Sequence, residues 1–181
     1  MPSDLLDATL DASLLRLGLL DDLEPEDPRV KATVQAVRGA LWLRSVTGGL
    51  ARNEADAAGV PGDEGGGRPS ITATLWLAQH AVRAARRLQD LEDARVILMW
   101  TAARAEGMGL LPERLDVGRG APEASPSLAA TAAYVTTVLD YRDRARLLAR
   151  CDRCGEPAPA RRARRGADRI SGSLPGIVAH L

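Results

Sequence analysis

Apolar residues recur at helical spacing in the first quarter of the chain. Through residues 4–20 they return every three or four positions, which predicts an amphipathic helix. A second helix is predicted to begin after Asp27, because aspartate is a good N-cap and Pro28 suits the first turn. Its basic residues lie opposite its apolar ones, so we expect it to be an outer helix; the apolar set is Val30, Val34, Val37 and Leu41.

Three more helices are predicted further along. Residues 70–88 are apolar on nearly every side at their start, with Ser70 as a candidate cap, which is typical of a buried inner helix. Residues 90–105 are amphipathic again, and residues 127–149 begin with small apolar side chains and end in charges. This alternation indicates inner and outer rings of helices. Between the second and third helices, residues 44–69 are rich in glycine and show no period, so a long loop is predicted.

Composition agrees with an all-α fold. Only 3% of the 181 residues are aromatic and there is no Phe, so alanine and leucine must fill the core. These are the best helix formers, whereas a β-sandwich favours β-branched and aromatic residues. Trp76 and Trp100 lie in apolar helical stretches and are therefore expected in the core.

The charges give the chain no overall attraction to a polyanion. Lys+Arg and Asp+Glu both number 24, so we expect neither a nucleic acid nor a membrane as a partner. No apolar run is long enough to cross a bilayer, and the first residues are acidic where a secretory signal would be basic. A cytoplasmic location is the resulting prediction.

The last residues differ in character from the rest. Residues 151–181 are rich in Arg, Pro and Ala, which predicts a poorly ordered tail after an ordered domain at 1–150. Cys151 and Cys154 have the spacing of half a zinc site, but only His80 and His180 remain as soft donors. Zinc needs four ligands, and we expect no metal.

Four blocks in order resemble one enzyme family. SVTGGLARNEAD, ITATLWLAQ, GLLPER and AAYVTTVLDY are similar to the C-terminal part of the catalytic domain of glycoside hydrolase family 15, which holds glucoamylases, glucodextranases and bacterial or archaeal trehalases. With the opening LDASLLRL and DPRVKATVQAV, the resemblance covers about residues 8–142. The family fold is an (α/α)6 barrel of inner and outer helices, so these roughly five helices predict an all-α partial (α/α)6 toroid.

The resemblance implies a reaction and site residues. Family members invert the configuration as they hydrolyse α-glucosidic bonds, in α-glucans or trehalose, with two carboxyl groups and without a cofactor. Glu113 matches the general base of the family's Leu-Pro-Glu-Gln block, and Arg52 matches an arginine that contacts sugar hydroxyls, with Glu54 beside it. Arg114 replaces the glutamine, where its charge either keeps the Glu113 carboxylate ionised or pairs with it.

The resemblance also implies a missing partner group. The family's general acid precedes the matched residues, so we expect this chain to be inactive alone. It would then join a separate chain that carries the upstream half, or self-associate; the alternative is a non-catalytic helical scaffold or interaction protein. Asn53 and Ser70 stand where the family has sugar-contacting aromatics, so the residues do not choose between an α-glucan and trehalose.

Overall fold

The protein is mainly helical in the residues that the computed structural model describes, which are 9–20, 23–45, 47–59, 67–105, 109–115 and 126–150. The predicted tail, 151–181, lies outside them. The elements are an N-terminal 3₁₀ helix, five α-helices, a 3₁₀ turn and two short strands. Their bounds are Ala12–Leu19 for the N-terminal 3₁₀ helix, Pro28–Leu41 (α1), Leu50–Ala51 (β1), Glu54–Ala58 (α2), Pro69–Ser70 (β2), Ile71–Ala84 (α3), Leu88–Leu91 for the 3₁₀ turn, Glu92–Ala102 (α4) and Leu128–Leu148 (α5).

The helices begin at the residues that capping chemistry predicts. The Asp27 side chain accepts a hydrogen bond from a backbone N–H of α1, and Pro28 occupies the first turn. Ser70 caps α3 in the same way by accepting from the backbone N–H of Ala73. Both predicted starts are confirmed, and both rest on the same physics: a side-chain oxygen satisfies an N–H that has no partner inside the helix.

The first predicted helix is shorter than predicted in the described residues and is wound differently. Residues 4–8 lie outside the described residues, and Ala12–Leu19 form a 3₁₀ helix. Its two ends are held far apart, because the Ala12 N–H donates to the Arg52 carbonyl while the Leu19 carbonyl accepts from Arg83, near the end of α3. Eight residues rise about 16 Å as a 3₁₀ helix but only about 12 Å as an α-helix. The tighter winding therefore lets the segment reach both contacts.

The predicted loop at residues 44–69 contains structure that its sequence pattern hides. β1 and β2 pair antiparallel, with Leu50 opposite Ser70, and the short helix α2 lies between them. The Leu50 N–H also donates to the Thr74 hydroxyl of α3 at 2.9 Å. Two-residue strands are too short to show an alternating pattern, so the prediction of a long loop missed these elements.

Three helical elements run parallel along the inner side of the fold. The first turns of α3 and α5 meet around Glu113, and Arg144 near the end of α5 donates to the Ala85 carbonyl just past α3. The N-terminal 3₁₀ helix follows α3 in the same direction, as its contacts with Arg52 and Arg83 show. All three therefore begin at one end of the molecule, which we call the N-terminal rim.

The two longer remaining helices cover the outside of this arc. α1 packs on the N-terminal 3₁₀ helix, and α4 packs on α3 and α5. α3 is the most enclosed of the described helices, with residues 71–75 all buried, whereas Arg29 and Lys31 of α1 are exposed. The predicted inner and outer roles are confirmed, and the fold is a partial toroid. None of the described helices combines the length and apolar character that crossing a membrane requires.

Trp100 anchors the segment that leads into β1. It is 3% exposed, and its indole N–H donates to the Thr47 carbonyl at 2.9 Å. The Arg104 guanidinium lies 3.9 Å from the centre of the Trp100 ring, and burial lowers the pKa of Arg104 to about 10. Trp100 is in the core as expected. Trp76 is partly buried and packs against the edge of that core.

We predict that Gly49→Ala destabilises the protein. Gly49 has φ +98°, and an added Cβ would lie 2.9 Å from the Trp100 ring, so both backbone strain and overpacking oppose the change. The expected loss is about 1–3 kcal/mol of the free energy of unfolding, measured by urea denaturation.

Gly39→Ala is the matched control for Gly49. Gly39 lies in α1 with no heavy atom within 4 Å of the added Cβ, so alanine should stabilise the protein by about 0.5–1 kcal/mol. Equal effects of the two substitutions would contradict the structure around Trp100.

Candidate functional site

Glu113 lies in an extended segment at the N-terminal rim. The Ile71 N–H donates to the Glu113 carbonyl at 2.9 Å, and the Leu115 N–H donates to the Pro69 carbonyl at 3.1 Å. On the other side of the segment, the Leu111 carbonyl accepts a hydrogen bond from the Ser127 N–H at 2.7 Å. The backbone of Glu113 is thus fastened between the starts of two inner helices, which fixes the direction of its side chain.

Three hydroxyl groups donate hydrogen bonds to the Glu113 carboxylate. Oε2 accepts from the Ser127 hydroxyl at 2.8 Å and from the Thr72 hydroxyl at 3.1 Å. Oε1 has one long contact, 3.5 Å from the Ser70 hydroxyl. Ser70 and Ser127 are also the N-caps of α3 and α5. The hydroxyl oxygen of each serine therefore accepts from its helix, and its hydrogen points to Glu113.

The helix ends add to the attraction for a negative charge. The N-terminus of a helix carries a partial positive charge and favours an anion, and here two such ends meet one carboxylate. Glu113 is only partly buried. Because Oε2 already has two short donors, Oε1 is the oxygen that is available to accept a hydrogen bond from a water molecule or a ligand.

Arg114 does not pair with Glu113. Its Nη1 lies 3.1 Å from Oδ1 of Asp56, which belongs to α2. Neighbouring side chains in an extended segment point to opposite faces, so Glu113 faces the inner helices while Arg114 faces α2. The expectation that Arg114 would act on the Glu113 carboxylate by direct pairing was therefore wrong.

Arg52 follows β1 at the same rim and lies beside Trp76. Its guanidinium carbon is 5.7 Å from the centre of the Trp76 ring, and that of Arg16 is 5.8 Å from it. Trp76 lies four residues after Thr72 on α3, so the two share one face of the helix. The structure thus brings Arg52 to the helix face that also contacts Glu113.

Glu54 has a different position. It is the exposed first residue of α2, whose N-cap Asn53 accepts from the Asp56 N–H at 2.8 Å. An acidic residue suits this place, because it faces the positive end of the helix dipole. In the described part of the chain no ion pair joins it to Arg52. Its predicted contact with a sugar stays a prediction.

Sequence reasoning missed the hydroxyl groups and Arg16. Ser70 was expected only as a cap, and Thr72 and Ser127 carried no signal of their own. Two serine caps on helices that are expected to be inner would have been the available clue. Arg16 belongs to a helix whose 3₁₀ winding the apolar period does not reveal, so its approach to Trp76 could not be predicted.

The histidine that was considered for a metal site is buried on α3. His80 is 8% exposed, and its pKa is lowered by burial and, to a lesser extent, by the nearby Arg83. A neutral imidazole is therefore favoured there. Cys151, Cys154 and His180 lie outside the described residues. The expectation that these residues bind no zinc therefore stays a prediction.

Solved structures of glycosidases match this fold. A wild-type glycosidase shares 25% identity with a TM-score of 0.56, and the match covers 76% of this chain and 37% of that one. A glycosidase variant in complex with glucose shares 24% identity with a TM-score of 0.56, and the match again covers 76% of this chain and 37% of that one. A bacterial glucoamylase complexed with acarbose shares 22% identity with a TM-score of 0.59, covering 75% of this chain and 21% of that one.

These matches show a glycosidase-like fold. The chain spans little more than a third of the glycosidases and about a fifth of the glucoamylase. No protein-family model matches the chain, and no curated protein matches it by sequence. The finer assignment to one glycosidase family therefore rests on the sequence resemblance.

We predict that Glu113→Ala destabilises the fold. The substitution removes the acceptor for three hydroxyl groups at two helix starts, and a buried donor without a partner costs about 1–3 kcal/mol. Urea denaturation of the Glu113→Ala and Glu54→Ala variants would measure the loss in the free energy of unfolding. The exposed Glu54 should change stability by no more than about 0.5 kcal/mol, and similar losses for both variants would contradict the bridging role of Glu113.

Proposed function

We propose that this chain is the base-bearing part of an inverting α-glucoside hydrolase of the glycoside hydrolase family 15 type, with Glu113 as the general base. The observation that carries the proposal is the position of the Glu113 carboxylate, held by hydroxyl donors at the N-terminal rim of a glycosidase-like arc. Solved structures with a similar fold contain glucose or acarbose, which supports an α-glucoside or trehalose as the substrate.

The hydroxyl contacts of Glu113 suit a general base, because they fix the carboxylate in place while one of its oxygens is only weakly held. With Oε2 held by Ser127 and Thr72, Oε1 would accept a hydrogen bond from the attacking water. That water would then attack the anomeric carbon from the face opposite the departing glycosidic oxygen.

The general acid completes the mechanism in this proposal. An inverting enzyme needs a second carboxyl group roughly 6.5–9.5 Å from the base, where it protonates the leaving oxygen. The family resemblance puts that acid in a segment upstream of the matched residues. We therefore propose that the acid comes from outside residues 9–150, and that Arg52 and Glu54 contribute to sugar binding.

Acarbose binding and hydrolysis together test this function. We expect the purified chain to bind acarbose in a calorimetric titration and to release no glucose from trehalose or a maltooligosaccharide. Arg52→Gln should weaken acarbose binding by about tenfold, which corresponds to ~1.4 kcal/mol. Arg86→Gln should leave it unchanged, because Arg86 lies just past the far end of α3, with its side chain 70% exposed.

Glucose release, or a lack of acarbose binding, would change the proposal in different ways. Glucose release that disappears in Glu113→Gln would support the base and place an acid within this chain. Glucose release that persists in Glu113→Gln would overturn the base assignment. No binding of acarbose would favour the non-catalytic scaffold.

α5 carries an apolar surface that suits contact with the acid-bearing part. Leu128, Val135 and Leu139 are 82%, 51% and 43% exposed, and their spacing of seven and four residues puts them on one side of the helix. Exposed apolar stripes of this kind mark contact surfaces. We propose that the rest of the toroid covers this stripe.

We predict that the purified protein self-associates through α5 when no other chain is present. Changing Leu128, Val135 and Leu139 to serine should lower the mass measured by light scattering to that of a monomer, because apolar burial drives the contact. The same three changes should preserve the helical circular dichroism signal, since these side chains are exposed. A monomeric wild-type protein would exclude a second copy as the cover of this stripe.

A further inference from the structure

Two arginines lie against one indole ring on the inner side of the fold. Arg16 comes from the N-terminal 3₁₀ helix and Arg52 follows β1, and their guanidinium carbons lie 5.8 and 5.7 Å from the centre of the Trp76 ring. A cation near an aromatic face is attracted by the ring. Trp76 is therefore a contact that two positively charged side chains share.

No acidic side chain compensates this pair within the described residues. The ion pairs of the described chain involve other arginines and Lys31. Asp11 precedes Arg16 by five residues, and its Oδ1 accepts from the Ser13 N–H at 2.7 Å as the cap of the N-terminal 3₁₀ helix. Among the described residues, the two guanidinium groups are thus a local excess of positive charge.

The pair can be reached from solvent and lies close to Glu113. Arg16 is exposed, and Arg52 and Trp76 are partly exposed. Trp76 is one helical turn from Thr72, a rise of about 6 Å along α3, and the Thr72 hydroxyl is 3.1 Å from Oε2 of Glu113. That separation is comparable to the length of one sugar ring, so a glycoside bound at Glu113 would extend to the two arginines.

The hydrogen bonding of the guanidinium groups indicates which class of ligand would bind. Arginine forms paired hydrogen bonds with carboxylate and phosphate groups, and these charge-assisted bonds are stronger than bonds to neutral hydroxyls. A neutral sugar that stacks on Trp76 would have to compete with both guanidinium groups for the ring. We infer that Arg16, Arg52 and Trp76 form a site for a sugar that carries an anionic group, a uronate or a sugar phosphate, one ring away from the bond at Glu113.

This inference rests on the proposed function and narrows its substrate class. The binding of four probes to the full chain tests it: glucuronic acid, glucose 6-phosphate, glucose and inorganic phosphate. The chain has three Trp residues, so indole N–H signals in a two-dimensional NMR spectrum report on Trp76 directly. We expect both charged sugars to shift the Trp76 signal and to bind at least about tenfold more tightly than glucose.

Substitution of Arg16 is the decisive comparison. Arg16 is exposed, so Arg16→Gln should preserve the fold and should weaken the binding of both charged sugars by about tenfold. Arg86→Gln removes a charge from the opposite end of α3 and should leave their binding unchanged. A stronger response to glucuronic acid than to glucose 6-phosphate would identify the carboxylate as the group recognised, and the reverse order would identify the phosphate.

Other results would overturn the inference. Equal binding of glucose and the charged sugars, no binding of any probe, or no effect of Arg16→Gln would each do so. If inorganic phosphate bound as tightly as glucose 6-phosphate, the site would recognise anions in general, and its proposed preference for a sugar would be wrong. Acarbose binding without a preference for charged sugars would refute this inference alone, whereas loss of all sugar binding would also refute the proposed function.

Discussion

The carboxylate of Glu113 connects the first turns of the two longest inner helices. Ser70 caps α3 and Ser127 caps α5, and the hydroxyl of each also contacts this one side chain. A helix start has unsatisfied N–H groups and a partial positive charge, so an acceptor between two parallel helix starts is favourable. Glu113 is that acceptor, and the extended segment around it fixes the rim on which β1, β2 and Arg52 are arranged.

The low aromatic content gives the rim its chemistry. Sugar-binding sites commonly use aromatic rings as apolar platforms, but only 3% of these residues are aromatic, and Trp76 already has two arginines beside it. Hydroxyls and guanidinium groups surround Glu113 and Trp76 instead. In the proposed function, recognition at this rim therefore depends on hydrogen bonds and charge more than on stacking, which is consistent with the proposed anionic ligand.

Local signals in the sequence were enough to predict the four longer α-helices and the caps at Asp27 and Ser70, because each depends on residues close together in the chain, such as a side-chain oxygen before an apolar period. Glu113 was singled out by the family resemblance. Apart from the short helix α2 and the 3₁₀ winding of Ala12–Leu19, the features that were missed depend on residues distant in sequence. The Arg114–Asp56 pair spans α3, the pairing of β1 with β2 requires the chain to return past α2, and the hydroxyls of Thr72 and Ser127 become site residues only when the parallel helices meet.

A structural role for Glu113 and a catalytic one use the same contacts, but they do not require the same oxygens. A bridge between helix caps requires only an acceptor, and Oε2 alone provides it by accepting from Ser127 and Thr72. Oε1 has one contact of 3.5 Å, so it adds little to the bridge while the carboxylate still bears the desolvation cost of a partly buried charge. An amide oxygen could accept the same hydroxyl hydrogens without that charge. The weakly held oxygen is what the proposed base needs to polarise water, and the structural role does not explain it.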